Sequence, residues 1–211
     1  STPSNSSAAS DVYKRQVKSL PKICPVYYAN GNHEQRMKEK PENYDASYEE
    51  YKKQLQLAGV HFLENETVHL DKLNLTGLEI PLTGYQRMKK GNVEFQEIVQ
   101  RIGEKEGEEF QILLAHNPCY MDLYKAWGAD LILSGHLHGG VARIPGVLGV
   151  ITPGFQLFPK YSGDIYREGE QTIVVSKGLG THTVNIRFLN PAELVVLHLQ
   201  GKPCAKEENP V

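Results

Sequence analysis

The chain has 211 residues, enough for one sizeable domain, and its 23 Lys and Arg against 25 Asp and Glu leave a formal charge of -2. With no basic block, it lacks the electrostatic footprint of a protein that grips duplex nucleic acid or an anionic membrane. Its longest aliphatic stretch, Leu194 to Leu199, falls far short of the roughly 20 apolar residues that a spanning helix needs.

In chain order, Ser1 to Gln16 is rich in Ser, Ala and Asn and shows no hydrophobic period, so it reads as a disordered tail. Its end, Asp11-Val12-Tyr13-Lys14-Arg15-Gln16, is also what GAT-GTG-TAT-AAG-AGA-CAG encodes. That string resembles a transposase mosaic-end sequencing adapter, and residues 1–16 are therefore set aside from the fold. The domain proper is placed over residues 17–200, with residues 201–211 as a polar tail.

Ile23 to Ala29 is a short apolar and aromatic run that breaks at Asn30-Gly31-Asn32, a strand followed by a turn. Ser47 and Glu50 form a capping-box pattern ahead of Tyr48, Tyr51, Leu55 and Ala58, whose spacing predicts an amphipathic helix ending at Gly59. Val60 to Leu63 and Thr67 to Leu70 are expected strands, and Leu73 to Ile80, closed by Pro81, suits a strand near a sheet edge. Val93 to Ile102 is helical in period. Phe110 to Ala115 and Asp130 to Leu133 read as buried strands on either side of a helix from Met121 to Trp127. A glycine-punctuated region of loops and hairpins follows up to Thr172, with closing strands over Ile173 to Ser176, Val184 to Phe188 and Leu194 to Leu199. This alternation predicts an α/β domain. Cys24, Cys119 and Cys204 form no Cys-x-x-Cys pair and are expected as buried small side chains.

Three polar islands each follow a strand-like run: Gly31-Asn32-His33-Glu34, Ala115-His116-Asn117-Pro118 and Gly135-His136-Leu137-His138. Loops beyond the carboxyl ends of strands can converge on one site. His136 and His138, one residue apart, would share a side in an extended segment and could reach two neighbouring cations from a curved loop. Imidazole and carboxamide donors suit Mn, Fe, Zn or Ni.

These islands resemble the calcineurin-like metallophosphoesterase superfamily, whose order is Asp-x-His, Gly-Asp-x-x-Asp, Gly-Asn-His-[Asp/Glu], a lone His, then Gly-His-x-His. The last three blocks are present in order, and the resemblance runs from about Val17 to Leu199. Arg143-Ile144-Pro145-Gly146, Phe158-Pro159-Lys160-Tyr161 and Gly178-Leu179-Gly180-Thr181-His182 resemble the bacterial phosphodiesterase-like branch, which often carries a membrane or export segment upstream.

The resemblance implies a four-layer α/β/β/α sandwich with mixed sheets, incomplete at its N-terminus. It implies hydrolysis of a phosphoester by a dinuclear centre of two divalent cations that activates water for in-line attack on phosphorus. Asn32, His116 and His136 would bind one metal and His138 the other; His33, not itself a ligand, would protonate the leaving alcohol or orient the phosphate, and Glu34 would orient a neighbour. The first two blocks should lie upstream of Gly31, yet Val17 to Asn30 contains no Asp, Glu or His, so this chain alone is expected to be inactive or very weak. A non-catalytic metal-binding scaffold is the competing reading. Substrate identity and location stay open; nucleic acid is disfavoured as a partner by the charge, and an anchor would have to stand upstream.

His61, His69 and His198 read as ordinary hydrogen-bonding histidines, and His182 is open between that and a pocket-rim role. Lys89, Lys90 and the run Glu104 to Glu109 read as solvated surface. Arg143 and Lys160 are open between a substrate phosphate and the surface.

Overall fold

In the computed structural model, residues 14–85, 93–140, 142–144, 148–151, 159–180 and 187–201 are described. A short helix α1, described over residues 14–19, leads through a 3-10 turn to strand β1 (Val26–Tyr28). Then come α2 (Asn32–Glu39), α3 (Tyr48–Gln56), β2 (Val60–Phe62), β3 (Glu66–Leu70), β4 (Leu73–Leu78), α4 (Phe95–Ile102), β5 (Phe110–Ala115), α5 (Met121–Trp127) and β6 (Leu131–Ser134). The hairpin β7 (Ala142–Ile144) and β8 (Leu148–Ile151) precedes β9 (Asp164–Glu168) and β10 (Gln171–Val175).

The main sheet has six strands in the order β3-β4-β5-β6-β10-β9. β4, β5, β6 and β10 run parallel, and the outer pairs β3–β4 and β9–β10 are antiparallel. The sheet is mixed, as expected, with β4 one place in from the edge. Two parallel crossovers, β4-α4-β5 and β5-α5-β6, set α4 and α5 on one face. Period-two alternation splits the β5 run. Leu113 and Ala115 join Ile98, Met121, Tyr124 and Trp127 on that face, while Ile112 joins Leu63, Leu75, Leu131 and Val174 on the other.

The parallel pair β1–β2 forms a second, smaller sheet. Val26, Tyr28, Val60 and Phe62 meet Val17, Tyr48, Tyr51 and Leu55 from the helices, whereas Tyr27 turns the other way, onto the cluster against the main sheet. The layers thus run α/β/β/α. Ser47 caps α3 as expected, its hydroxyl accepting from Glu50 N at 3.1 Å. Among the described residues, no helix is long and apolar enough to cross a membrane.

Gly77 sits where the two sheets meet. A Cβ there would lie 2.2 Å from the Leu63 carbonyl oxygen and 2.4 Å from Leu63 Cβ. Backbone cannot swing aside as a flexible side chain can, so Gly77→Ala is expected to cost about 3 kcal/mol, at the upper end of ordinary overpacking. Urea denaturation of the two proteins measures it.

Several expectations need correction. Residues Leu194 to Leu199 form no strand; Val195 and Leu197 lean on the sheet's second face while Leu194 and Val196 are exposed, so the alternation marks a one-sided extended segment without a ladder partner. The break at Asn30-Gly31-Asn32 is not a turn alone, since Asn32–Glu39 continues it as a helix. Cys24 and Cys119 are exposed rather than buried, because each sits on a surface turn; Cys204 lies outside the described residues. Of Val184 to Phe188, residues 184–186 lie outside the described residues, and Phe188 makes an isolated bridge to Ala142.

Candidate metal centre

The first island is built by a helix start. Gly31 N–H donates to Glu34 Oε2 at 2.9 Å, and Gln35 N–H donates to Gly31 O at 3.0 Å, so α2 begins directly after the glycine. The other oxygen of Glu34 accepts from Tyr28 OH at 2.9 Å, tying the turn back to β1. Glu34 thus fixes the entry of α2. A Cβ at position 31 would lie 3.0 Å from His116 Nε2, so glycine is what lets the turn approach the imidazole. Asn32, the first residue of α2, is buried, and His33 beside it is exposed.

The other islands follow from the sheet. β5 and β6 are adjacent and parallel, so their carboxyl ends open on the same edge, where His116 and Gly135-His136 lie. Ser134 OH donates to Ala115 O at 2.6 Å and Gly135 N–H to His116 O at 3.1 Å, which pins the two ends together. Asn117 holds the far side of the His116 turn, donating to Gly84 O at 3.0 Å and accepting from Cys119 N at 3.1 Å.

Asn32 Oδ1 lies 3.2 Å from His116 Nε2 and 3.1 Å from His136 Nδ1. The two imidazoles stand edge-on with centroids 5.5 Å apart, and the Tyr85 ring closes the group at 5.0 Å from His136. Adjacent donors around one cation at bonds of about 2.1 Å lie about 3 Å apart, so these separations fit neighbouring ligands of a single ion. Two imidazole nitrogens and a carboxamide oxygen suit the borderline divalent metals. Among the described residues, no three His, Cys, Asp or Glu side chains form a metal-holding group by themselves, so the carboxamide is integral to this one. Burial, then the charges of His138 and His33, pushes His116 down to about 4, keeping its ring neutral near pH 7 as ligation requires.

His136 and His138 have φ of 64° and 50°, so the loop is left-handed at both and the shared-side geometry of an extended segment does not apply. Buried Leu137 anchors the turn between them. The His138 ring places Nδ1 3.3 Å from Gly180 O, and burial lowers its pKa.

A charged cluster that carries no local sequence signature adjoins the Asn30–Asn32 turn. Lys38, on the helix that carries Asn32, lies 2.9 and 3.0 Å from the two Glu79 oxygens and 3.2 Å from Glu64 Oε1. Asn30 Nδ2 lies 2.6 Å from Tyr48 OH, 2.7 Å from Glu79 Oε1 and 2.9 Å from Glu64 Oε1. Tyr48 and Lys52 also bond Glu64. Burial alone would raise the Glu64 carboxyl, but the donors Lys52, Tyr48 and Lys38 outweigh it and bring the group from the ordinary 4.5 down to about 2. A depressed carboxylate stabilises the fold fully above its unfolded value, and that contribution is lost as pH falls through the folded one. Glu64→Gln is therefore expected to flatten the loss of stability between pH 4.5 and 2 in acid titrations followed by circular dichroism.

Arg143 is buried, donating to Gly139 O at 3.2 Å and pairing with Asp164. Lys160 is exposed and bridges to Glu168 at 2.8 Å. Glu104 to Glu109 is surface, whereas Lys89, Lys90 and His182 lie outside the described residues. His69 bonds Asn74 Oδ1 at 2.8 Å across the β3–β4 ladder, while His61 and His198 are exposed.

Comparison with known proteins gives a consistent picture. A model of the calcineurin-like phosphoesterase family matches residues 4–140. An uncharacterized metallophosphoesterase, YkuE, of Bacillus subtilis (strain 168) is 30% identical over 125 residues, 59% of this chain and 42% of that protein. Uncharacterized metallophosphoesterases of Helicobacter pylori strains J99 and 26695 are each 31% identical over 180 residues, 84% of this chain and 43% of theirs. The chain spans less than half the length of these relatives. No solved structure matches it.

Proposed function

The chain belongs to the calcineurin-like phosphoesterase family, and from that premise we propose that Asn32, His116 and His136 hold one divalent cation and that His138 serves a second, in a site that hydrolyses phosphoesters. The observation that carries the reading is the convergence of two imidazole nitrogens on Asn32 Oδ1 at 3.1 and 3.2 Å. The cations would supply an activated water and neutralise phosphate oxygens.

The chain's own residues have separable tasks. His33, exposed on the first turn of α2, acts electrostatically on both His116 and His138 and is assigned to hold the proton that the leaving alcohol takes. Glu34 keeps the helix start in register, so that Asn32 and His33 stay fixed with respect to each other. Tyr85 walls the His116–His136 pair from one side. The substrate is a phosphoester, and a net charge of -2 favours a small or amphiphilic ester over duplex nucleic acid.

With three donors assigned to one cation and one to the other, this chain by itself is expected to bind one equivalent of Mn2+ firmly and to hydrolyse phosphoesters weakly. The same count favours a second reading, a metal-binding scaffold without turnover. Calorimetric titration with Mn2+, paired with hydrolysis of bis(p-nitrophenyl) phosphate, separates the two: saturable binding with metal-dependent release of nitrophenol supports the hydrolase, and binding without release supports the scaffold. Absence of Mn2+ binding contradicts both.

A further inference from the structure

The loop that carries His138 is held in an unusual shape. φ is 50° at His138, 73° at Gly139 and 89° at Gly140. A left-handed non-glycine residue costs on the order of 1–2 kcal/mol and persists only where its surroundings over-determine it. Here the surroundings come from Arg143 of β7 and from Arg187 and Asn190, after β10. Asn190 Nδ2 donates to His138 O and to Gly140 O, both at 2.7 Å. Arg143 takes the carbonyl between them, Gly139 O, at 3.2 Å. Arg187 adds a contact to His138 O at 3.4 Å while also bonding Gly178 O and Lys177 O. Three consecutive carbonyls are therefore each met by a side-chain donor.

The fit leaves no slack. A Cβ at position 139 would lie 2.5 Å from Asn190 Oδ1 and 2.7 Å from Lys177 Cγ. Asn190 is buried, both its N–H groups are used, and among the described residues its Oδ1 has no partner. An unsatisfied buried oxygen opposes stability, so the side chain sits there at a cost to the fold and holds the loop in return. The same segment orders the imidazole itself. Gly180 O can only accept, so at 3.3 Å it favours a proton on His138 Nδ1, which in the neutral ring leaves the lone pair to Nε2.

We propose that Asn190 is a positioning residue for His138: by clamping the His138 and Gly140 carbonyls against the segment after β10, it holds the imidazole in one orientation and one tautomer, ready to ligate a metal through Nε2. The proposal rests on the reading of His138 as a metal ligand. It predicts that Asn190→Asp, which keeps the shape but turns a donor toward neither carbonyl, frees the ring.

The test uses the full chain, labelled with 15N, and long-range proton–nitrogen spectra of the histidine rings near neutral pH, before and during titration with Zn2+. In the parent protein His138 is expected to show a single Nδ1–H tautomer and to respond to Zn2+ through Nε2, after His116 and His136 have responded. In Asn190→Asp the ring is expected to average both tautomers and its Zn2+ response to need about 10- to 100-fold more metal, the range for lost outer partners of a ligand, with the His116 and His136 responses within twofold. Asn190→Ala, read in the same way, covers the case in which the aspartate variant does not fold. Unchanged tautomer and unchanged His138 response in both folded variants overturn the clamp while leaving the metal reading intact. A parent His138 that never responds to Zn2+ overturns the metal reading, and the inference falls with it.

Discussion

Replacing His136 with alanine is expected to weaken Mn2+ binding to this chain by at least about 100-fold, more than the loss typical of an outer-sphere partner, whereas His33→Ala leaves it within twofold. His136 Nδ1 is one of the two imidazole nitrogens that meet Asn32 Oδ1, at 3.1 Å. Two donors would then remain, and His116 would face its carboxamide alone. His33 is adjacent in sequence to Asn32, but its side chain is exposed where that of Asn32 is buried. Its loss is expected to appear in turnover instead. Isothermal titration of the three proteins measures the contrast, and equal loss of metal in both variants would sink the division of roles.

Glu79→Ala is expected to destabilise the fold by about 3 kcal/mol, the lower end for removing one partner of a buried ion pair. Glu79 retains only 7% of its side-chain exposure, while its partner Lys38 keeps 28%, which lets water recover part of the uncovered charge. The loss extends beyond one pair, because Asn30 Nδ2, at 2.7 Å from Glu79 Oε1, and Lys38 depend on the same carboxylate. Since Lys38 rides on α2, the helix that begins with Asn32, the change is also expected to loosen the end of that helix that carries Asn32. Chemical denaturation of the parent, Glu79→Ala and Glu79→Gln gives the figure; the glutamine, which keeps an acceptor, should lose less. A variant as stable as the parent would mean that the cluster is peripheral.

Much of the framework was legible because its signals are local. The apolar runs of β5 and β6 can be satisfied only by burial on both faces, and the intervening Met121 to Trp127 pattern fits a helix that returns over the sheet. The three islands were legible for the same reason: each directly follows such a run or its turn. α2 was missed because Asn32 to Glu39 contains only Met37 as an aliphatic residue, so it has no hydrophobic period; the available signal was Glu34 three places after Gly31, a helix-start pattern. The geometry of the His136–His138 loop could not be read from spacing, since its left-handed residues are met by donors from Asn190 and Arg187, about fifty residues further along the chain. Glu64 and Glu79 had no local signature either. They matter because the fold brings them to Lys38 and Asn30, 26 and 49 residues away in sequence respectively.

The central claim is that Asn32, His116 and His136 hold one cation. An anomalous-difference map from crystals of this chain grown with Mn2+ tests it most directly. The expected result is a single strong peak within bonding distance of Asn32 Oδ1, His116 Nε2 and His136 Nδ1. A map without a peak there, or with manganese bound instead at the Glu64–Glu79 cluster, would contradict it.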